Sequence, residues 1–104
     1  MLSFVETKLF TRLVQDYLPD DEYDALQTKL AADPEAGVVI PGSGAVRKLR
    51  WRARGRGKRG GYRVIYFVRR RQGVIWMLTI YPKNVSDDIP AHLLNRIRQE
   101  IENG

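Results

Sequence analysis

Ala45-Val46-Arg47-Lys48-Leu49-Arg50-Trp51-Arg52-Ala53-Arg54 alternates between two kinds of side chain. Leu49, Trp51 and Ala53 fall on one side of an extended chain, and Lys48, Arg50, Arg52 and Arg54 on the other. A period of two means a β-strand with one buried face and one basic face. At ~3.4 Å per residue, successive cations on that face stand about 7 Å apart, close to the step between phosphates along a nucleic-acid strand. Thr, Ser or Glu would satisfy the same alternation on a merely solvated face, yet this stretch contains only Lys and Arg there.

The elements that follow extend this strand into a sheet. Residues 55–61 (GRGKRGG) read as a glycine-rich hairpin loop bearing Arg56, Lys58 and Arg59, and Tyr62 to Val68 as the returning strand. Arg69 to Gly73 is a turn with three arginines. Val74 to Tyr81 is apolar at every position but Thr79, the pattern of a central strand covered on both sides. Ser86 to Asp88 are placed to cap a last helix with Pro90 in its first turn, and Leu93, Leu94, Ile97 and Ile101 form its apolar face.

Ahead of the basic strand, Leu2 to Val5 reads as a short edge strand. Leu9, Phe10, Leu13, Val14 and Tyr17 recur at helical spacing, and Pro19 ends that helix because the residue before a proline disfavours helical geometry. Asp20, Asp21 and Glu22 open a second helix, with Tyr23, Leu26, Leu30 and Ala31 as its stripe and Asp33-Pro34 as its stop. Val38 to Ile40 is a short β-like run before a Pro-Gly-Ser-Gly turn. The 104 residues contain no internal repeat and no linker, so one domain is expected over 1–104. The expected class is α+β: a small twisted antiparallel sheet with an N-terminal helical hairpin and a C-terminal helix packed on it. The helices are expected on one face, with the basic face left open.

Charge is distributed as unevenly as the elements. Residues 42–83 carry 13 Lys and Arg and no acid, whereas residues 1–41 hold three bases against eight acids and residues 84–104 two against four. Such a field suits a polyanionic partner, of which nucleic acid is the commonest. Cysteine is absent, so neither a disulfide nor a thiolate site can form. The single histidine, His92, excludes a two-histidine metal site and is expected on a helix surface. Glu6 falls early and no long apolar stretch occurs, which argues against a signal peptide or a membrane span. A cytoplasmic protein is expected.

Gly55-Arg56-Gly57-Lys58-Arg59-Gly60 formally matches a dinucleotide-binding fingerprint. It lies between two strands instead of opening a helix, and no suitable acid follows, so a hairpin loop that adapts to a phosphate backbone is the better account. Arg63 starts an otherwise apolar strand, where a charge needs either a task or a partner such as Glu6 or Asp16. Tyr81-Pro82-Lys83-Asn84 marks the exit of the central strand, where functional groups often collect.

Three stretches in this order, Val46-Arg47-Lys48-Leu49-Arg50, Gly57-Lys58-Arg59-Gly60-Gly61-Tyr62-Arg63-Val64-Ile65-Tyr66 and Leu78-Thr79-Ile80-Tyr81-Pro82-Lys83-Asn84, resemble the RelE/ParE toxin superfamily, and especially its HigB/RelE-type members. The resemblance is strongest over residues 42–88. It implies the toxin of a bacterial toxin–antitoxin module, acting as a ribosome-dependent endoribonuclease that cuts mRNA in the decoding site and so inhibits translation, without a metal or other cofactor. By position it places catalytic roles on Lys48, Arg50, Arg63 and Lys83, with Arg63 clamping the scissile phosphate. Arg47, Arg52, Arg54, Arg56, Lys58, Arg59 and Tyr81 would bind RNA or ribosome. Asn84 stands where some members have a second basic residue, and the last helix has no tyrosine, for which Tyr81 or Tyr66 would have to substitute. The implied partners are the ribosome, mRNA and a cognate antitoxin, with a helix-turn-helix HigA-type antitoxin carrying any operator-DNA contact; no membrane is involved. A ParE-like gyrase inhibitor of the same fold and a non-catalytic RNA- or ribosome-binding module are the alternatives.

Overall fold

The structure is a computed structural model and describes residues 2–52, 61–84 and 89–103. Its elements run β1 (Ser3–Glu6), α1 (Lys8–Tyr17), α2 (Asp20–Ala32), β2 (Val38–Val39), β3 (Arg47–Trp51), β4 (Tyr62–Arg69), β5 (Val74–Pro82) and α3 (Ala91–Asn103), with a 3-10 turn at Arg70–Gln72. Local chemistry sets the helix ends. The Thr7 hydroxyl oxygen accepts from the Phe10 amide at 3.0 Å and donates to the Leu78 carbonyl at 2.7 Å, so one side chain caps α1 and fastens it to β5. Asp20, Asp21 and Glu22 occupy the first turn of α2, where negative charge meets unsatisfied N–H groups. Ser86 to Asp88, the expected cap of α3, lie outside the described residues. The Pro90 carbonyl accepts from Leu93 and Leu94, so Pro90 stands just before the helix.

One five-stranded sheet has the order β1-β5-β4-β3-β2. β2 to β5 are antiparallel in succession, but β1 pairs parallel with β5, from Ser3 opposite Val74 to Glu6 opposite Met77. The sheet is therefore mixed. The edge strand expected at the N-terminus is present, but it closes the sheet beside the strand farthest from it in sequence.

The two faces are covered differently from expectation. Phe10, Val14, Leu18, Leu26 and Leu30 of the hairpin pack on Leu49, Tyr62, Val64, Tyr66, Ile75, Met77 and Ile80. Leu94 of α3, with Ile101 beside it, packs on Val46, Ile65, Phe67 and Leu78 of the other face. That second face is the one expected to stay open. Its strands are basic only toward the Trp51 end of β3 and apolar where α3 lies, so α3 has a surface to bury.

A bulge links the fold to the site. Ile65 pairs with Thr79 and Tyr66 with Met77, so Leu78 is an extra residue in β5. An extra residue reverses the alternation beyond it. Ile75 and Met77 face the hairpin before the bulge, and Ile80 faces it after. Tyr81 is thereby turned to the α3 side, where it packs at the edge of the second core.

Candidate nucleic-acid interface

β3, β4 and β5 bring Arg50, Arg63 and Tyr81 into one row across the sheet: Arg50 opposes Arg63, and Arg63 opposes Tyr81. Neighbouring strands stand ~4.8 Å apart, so the row spans about 10 Å. Lys48 opposes Ile65, and Ile65 opposes Thr79, in the next row on the same face. Arg50 and Arg52 are exposed, whereas Lys48, Arg63 and Tyr81 are half-buried. Lys83 is exposed just past β5, and its backbone amide donates to the Gly61 carbonyl at 3.1 Å, which holds the β5 exit against the start of β4.

Like charges directly opposite each other in an antiparallel pair repel. The Arg63 guanidinium donates to the Tyr62 carbonyl at 3.4 Å, and guanidinium forks on one face are groups that suit a phosphate's oxygens. Beside them Lys48 and Tyr81, with Ile40, Ile65, Ile89 and Leu94, line a narrow cleft of about 40 Å³. The cleft places a cation and a phenol against apolar walls. Among the described residues no three His, Cys, Asp or Glu side chains converge to hold a metal ion.

Not every expected residue joins the row. Arg47 lies toward the hairpin, where its guanidinium donates to the Gly37 carbonyl at 2.7 Å and stands 3.9 Å from the Glu35 carboxylate. Arg54, Arg56, Lys58 and Arg59 lie outside the described residues. Tyr66 cannot stand in for a missing helix tyrosine. It is fully buried on the hairpin side, donating to the Pro34 carbonyl at 2.8 Å and accepting from the Gly37 amide at 2.9 Å. Burial is the main reason that its phenol is pushed above the ordinary value. Glu6, weighed as a partner for Arg63, instead accepts from Thr11 at 2.6 Å and Tyr23 at 2.5 Å on the hairpin side. His92 is exposed on α3.

Thr79 was legible only as the polar exception in an apolar strand; it is 6% exposed and sits in the Lys48 row. The end of β3 is held from the other side, where the Trp51 indole N–H donates to the buried Glu22 carboxylate at 3.3 Å.

No family model matches this chain. Among solved structures, a chain of the archaeal RelE–RelB complex from Pyrococcus horikoshii OT3 matches it with a TM-score of 0.53 and 25% sequence identity, over 82% of this chain and 98% of that one. With three helices on a five-stranded mixed sheet among the described residues, and with that likeness over most of both chains, the protein has a RelE-like α+β fold.

Proposed function

We propose that this protein is the toxin of a toxin–antitoxin pair, a ribosome-dependent endoribonuclease of the HigB/RelE type that cuts mRNA in the decoding site. The single observation that carries the proposal is the opposed pair Arg50 and Arg63, with Lys48 and Tyr81 beside it on one face. The likeness to a crystallised RelE–RelB complex supports it at the level of the fold.

The chemistry needs no more than this face supplies. A ribose 2′-hydroxyl attacks the adjacent phosphorus, its proton passes to a base, and the P–O5′ bond breaks as an acid protonates the leaving oxygen. The products are a 2′,3′-cyclic phosphate and a 5′-hydroxyl. Arg63 and Arg50 stabilise the charge that builds on the phosphorane oxygens. In this reading Lys48 and Lys83 take the two proton-transfer roles. Tyr81 offers its ring to a neighbouring base. Arg52, exposed just past β3, extends the cationic track. Arg47 contributes by holding the segment before β2.

In this proposal a cognate antitoxin, of the helix-turn-helix HigA type, neutralises the basic face and makes any operator-DNA contact. The pair acts in the cytoplasm. No helix among the described residues is long and apolar enough to cross a membrane.

The test is cleavage of a defined mRNA by purified protein, with and without programmed ribosomes. Cuts in the decoding site that require ribosomes are expected. Arg63→Ala should lower the single-turnover rate by ~10²-fold or more, the order seen when one donor to a developing oxyanion is removed. Ribosome binding that survives without any cleavage by the parent protein would leave a binding module. Absence of both, with inhibition of gyrase supercoiling, would replace the proposal by the ParE-like alternative.

A further inference from the structure

Arg69, Arg70 and Arg71 fall at the β4–β5 turn, at the opposite end of β4 from Arg63. Arg69 is six residues along the strand from Arg63, about 20 Å at ~3.4 Å per residue. Gly73 closes the turn with φ of 64°, a left-handed conformation that brings the chain directly back into β5. The three arginines and Gln72, with Val68 and Glu102 at the edge, line an open cleft of about 530 Å³. Two ties fix its shape. The Arg69 guanidinium donates to the Ile101 carbonyl near the end of α3 at 3.4 Å, and Arg70 pairs with Glu35 of the segment after α2. Arg70 keeps 63% of its side chain exposed in that pair, and Arg71 is exposed. Glu102, the one acid on the rim, is paired with Arg98.

This cleft is separated from the Arg50–Arg63 row by α3. Between Arg63 and Arg69, the residues of β4 on that face are Ile65 and Phe67, and both lie in the core under Leu94. A strand of RNA held at Arg63 therefore cannot run straight along β4 to Arg69. Whatever anion the turn takes belongs to a different segment. Its chemistry favours nucleic acid over protein. A protein partner would need apolar anchors at the centre of its contact, and Val68 is the sole apolar side chain in this lining. Polar, strongly positive surfaces of planar guanidinium groups are those that meet phosphate backbones.

We infer that the Arg69–Arg71 turn is a second phosphate-binding site, which docks the protein on the backbone of folded ribosomal RNA while the Arg50–Arg63 row holds the strand to be cut. This rests on the ribosome-dependent function proposed above. The site sets affinity and orientation and takes no part in bond breaking.

The test measures ribosome affinity across a salt series for the parent protein, Arg70→Gln/Arg71→Gln and Arg71→Gln alone, with melting curves for each. Each lost phosphate contact should flatten the plot of log affinity against log salt by about one, so by about two for the double variant. Cleavage on ribosomes at saturating protein should remain at the parent rate. A double variant with the parent's slope and affinity would overturn the inference and leave the ribosome-dependent function standing. Loss of cleavage at saturation in the exposed-site variant Arg71→Gln, with an unchanged melt, would also overturn it, because the turn would then belong to the cutting site. Competition for the turn by polyglutamate but not by ribosomal RNA would assign it to an acidic protein instead. A parent protein that does not bind ribosomes at all would overturn both this inference and the function beneath it.

Discussion

A methyl group built on Gly61 would run into the Trp51 carbonyl oxygen and lie 3.0 Å from the Arg52 Cα, and φ there is +62°. The glycine before Tyr62-Arg63 is thus required by close backbone approach as well as by backbone conformation. Because its carbonyl also holds the Lys83 amide, Gly61→Ala is expected to shift Lys83 along with β4. Urea unfolding should show a loss of at least about 1–3 kcal/mol, the scale of a strained left-handed residue, accompanied by weaker cleavage. Tyr66 argues the other case, of a residue that serves the fold and not the site. Tyr66→Phe strands the buried Gly37 amide and should cost about 1–3 kcal/mol, yet leave cleavage intact well below the melting temperature. Cleavage lost in a folded Tyr66→Phe protein would contradict its placement on the hairpin side. The same phenol sets an alkaline limit. Burial raises Tyr66, and burial with the Glu6 hydrogen bond raises Tyr23, so both stay neutral in the folded state where the unfolded chain has begun to ionise. The unfolded state then binds fewer protons, and stability must fall as pH rises. Stability should therefore hold below about pH 10, the ordinary tyrosine value, and decline above it. A urea midpoint that stays level into that range would refute this.

At the level of elements, α3 shows what could be read in advance and what could not. The strand and helix order was legible because alternation at 45–54, the glycine-rich break after it and the run at 74–81, apolar but for Thr79, each have one local cause. The side on which α3 packs also left a trace. Trp76, Leu78 and Tyr81 are apolar on the face opposite Ile75, Met77 and Ile80, so β5 needed cover on both sides. The basic alternation of β3 outweighed that trace, although it describes only one end of the face. The bulge at Leu78 left no local signal, because a bulge is a property of two strands and the sequence shows one at a time. Tyr81 was named from its motif, but its place beside Arg63 follows from that bulge. The parallel pairing of β1 was hidden for a related reason, since its partner lies about 70 residues away. Leu94 anchors α3 at 1% exposure among Val46, Ile65, Phe67 and Leu78. Leu94→Ala should cost about 2–5 kcal/mol in chemical unfolding. Because Leu94 and Ile89 also wall the cleft beside Lys48 and Tyr81, cleavage should weaken at temperatures where the protein is still folded. Full activity in a measurably destabilised Leu94→Ala protein would remove α3 from any part in shaping the site.

Over the whole molecule, the uneven charge is arranged in space as well as in sequence. The acids of residues 1–41 lie mainly on α1 and α2, on one side of the sheet, while Lys48, Arg50 and Arg63 lie on the other. The chain therefore presents opposite signs to opposite directions. Such a field orients a protein during approach to a polyanion and raises its association rate, an effect that ionic strength removes. Asp16 and Asp24 test this without touching either face of the sheet. Both are exposed, and the Thr28 hydroxyl donates to the Asp24 backbone carbonyl and not to its carboxylate, so Asp16→Asn/Asp24→Asn should change stability by no more than about 0.5 kcal/mol. The double variant is more cationic overall but less polarised. If attraction by net charge governs capture, its association rate with ribosomes at low salt should rise. If orientation by the separated charges governs, the rate should fall, because more encounters arrive with the wrong face forward. Asp16, Asp20, Asp21 and Asp24 are exposed on the hairpin, whose two helices cover the face away from the basic row, so orientation is the expected winner. Stopped-flow association across a salt series separates the outcomes. A slower low-salt rate that converges with the parent's at high salt supports steering, whereas a faster one assigns the acidic hairpin no role in guiding the encounter.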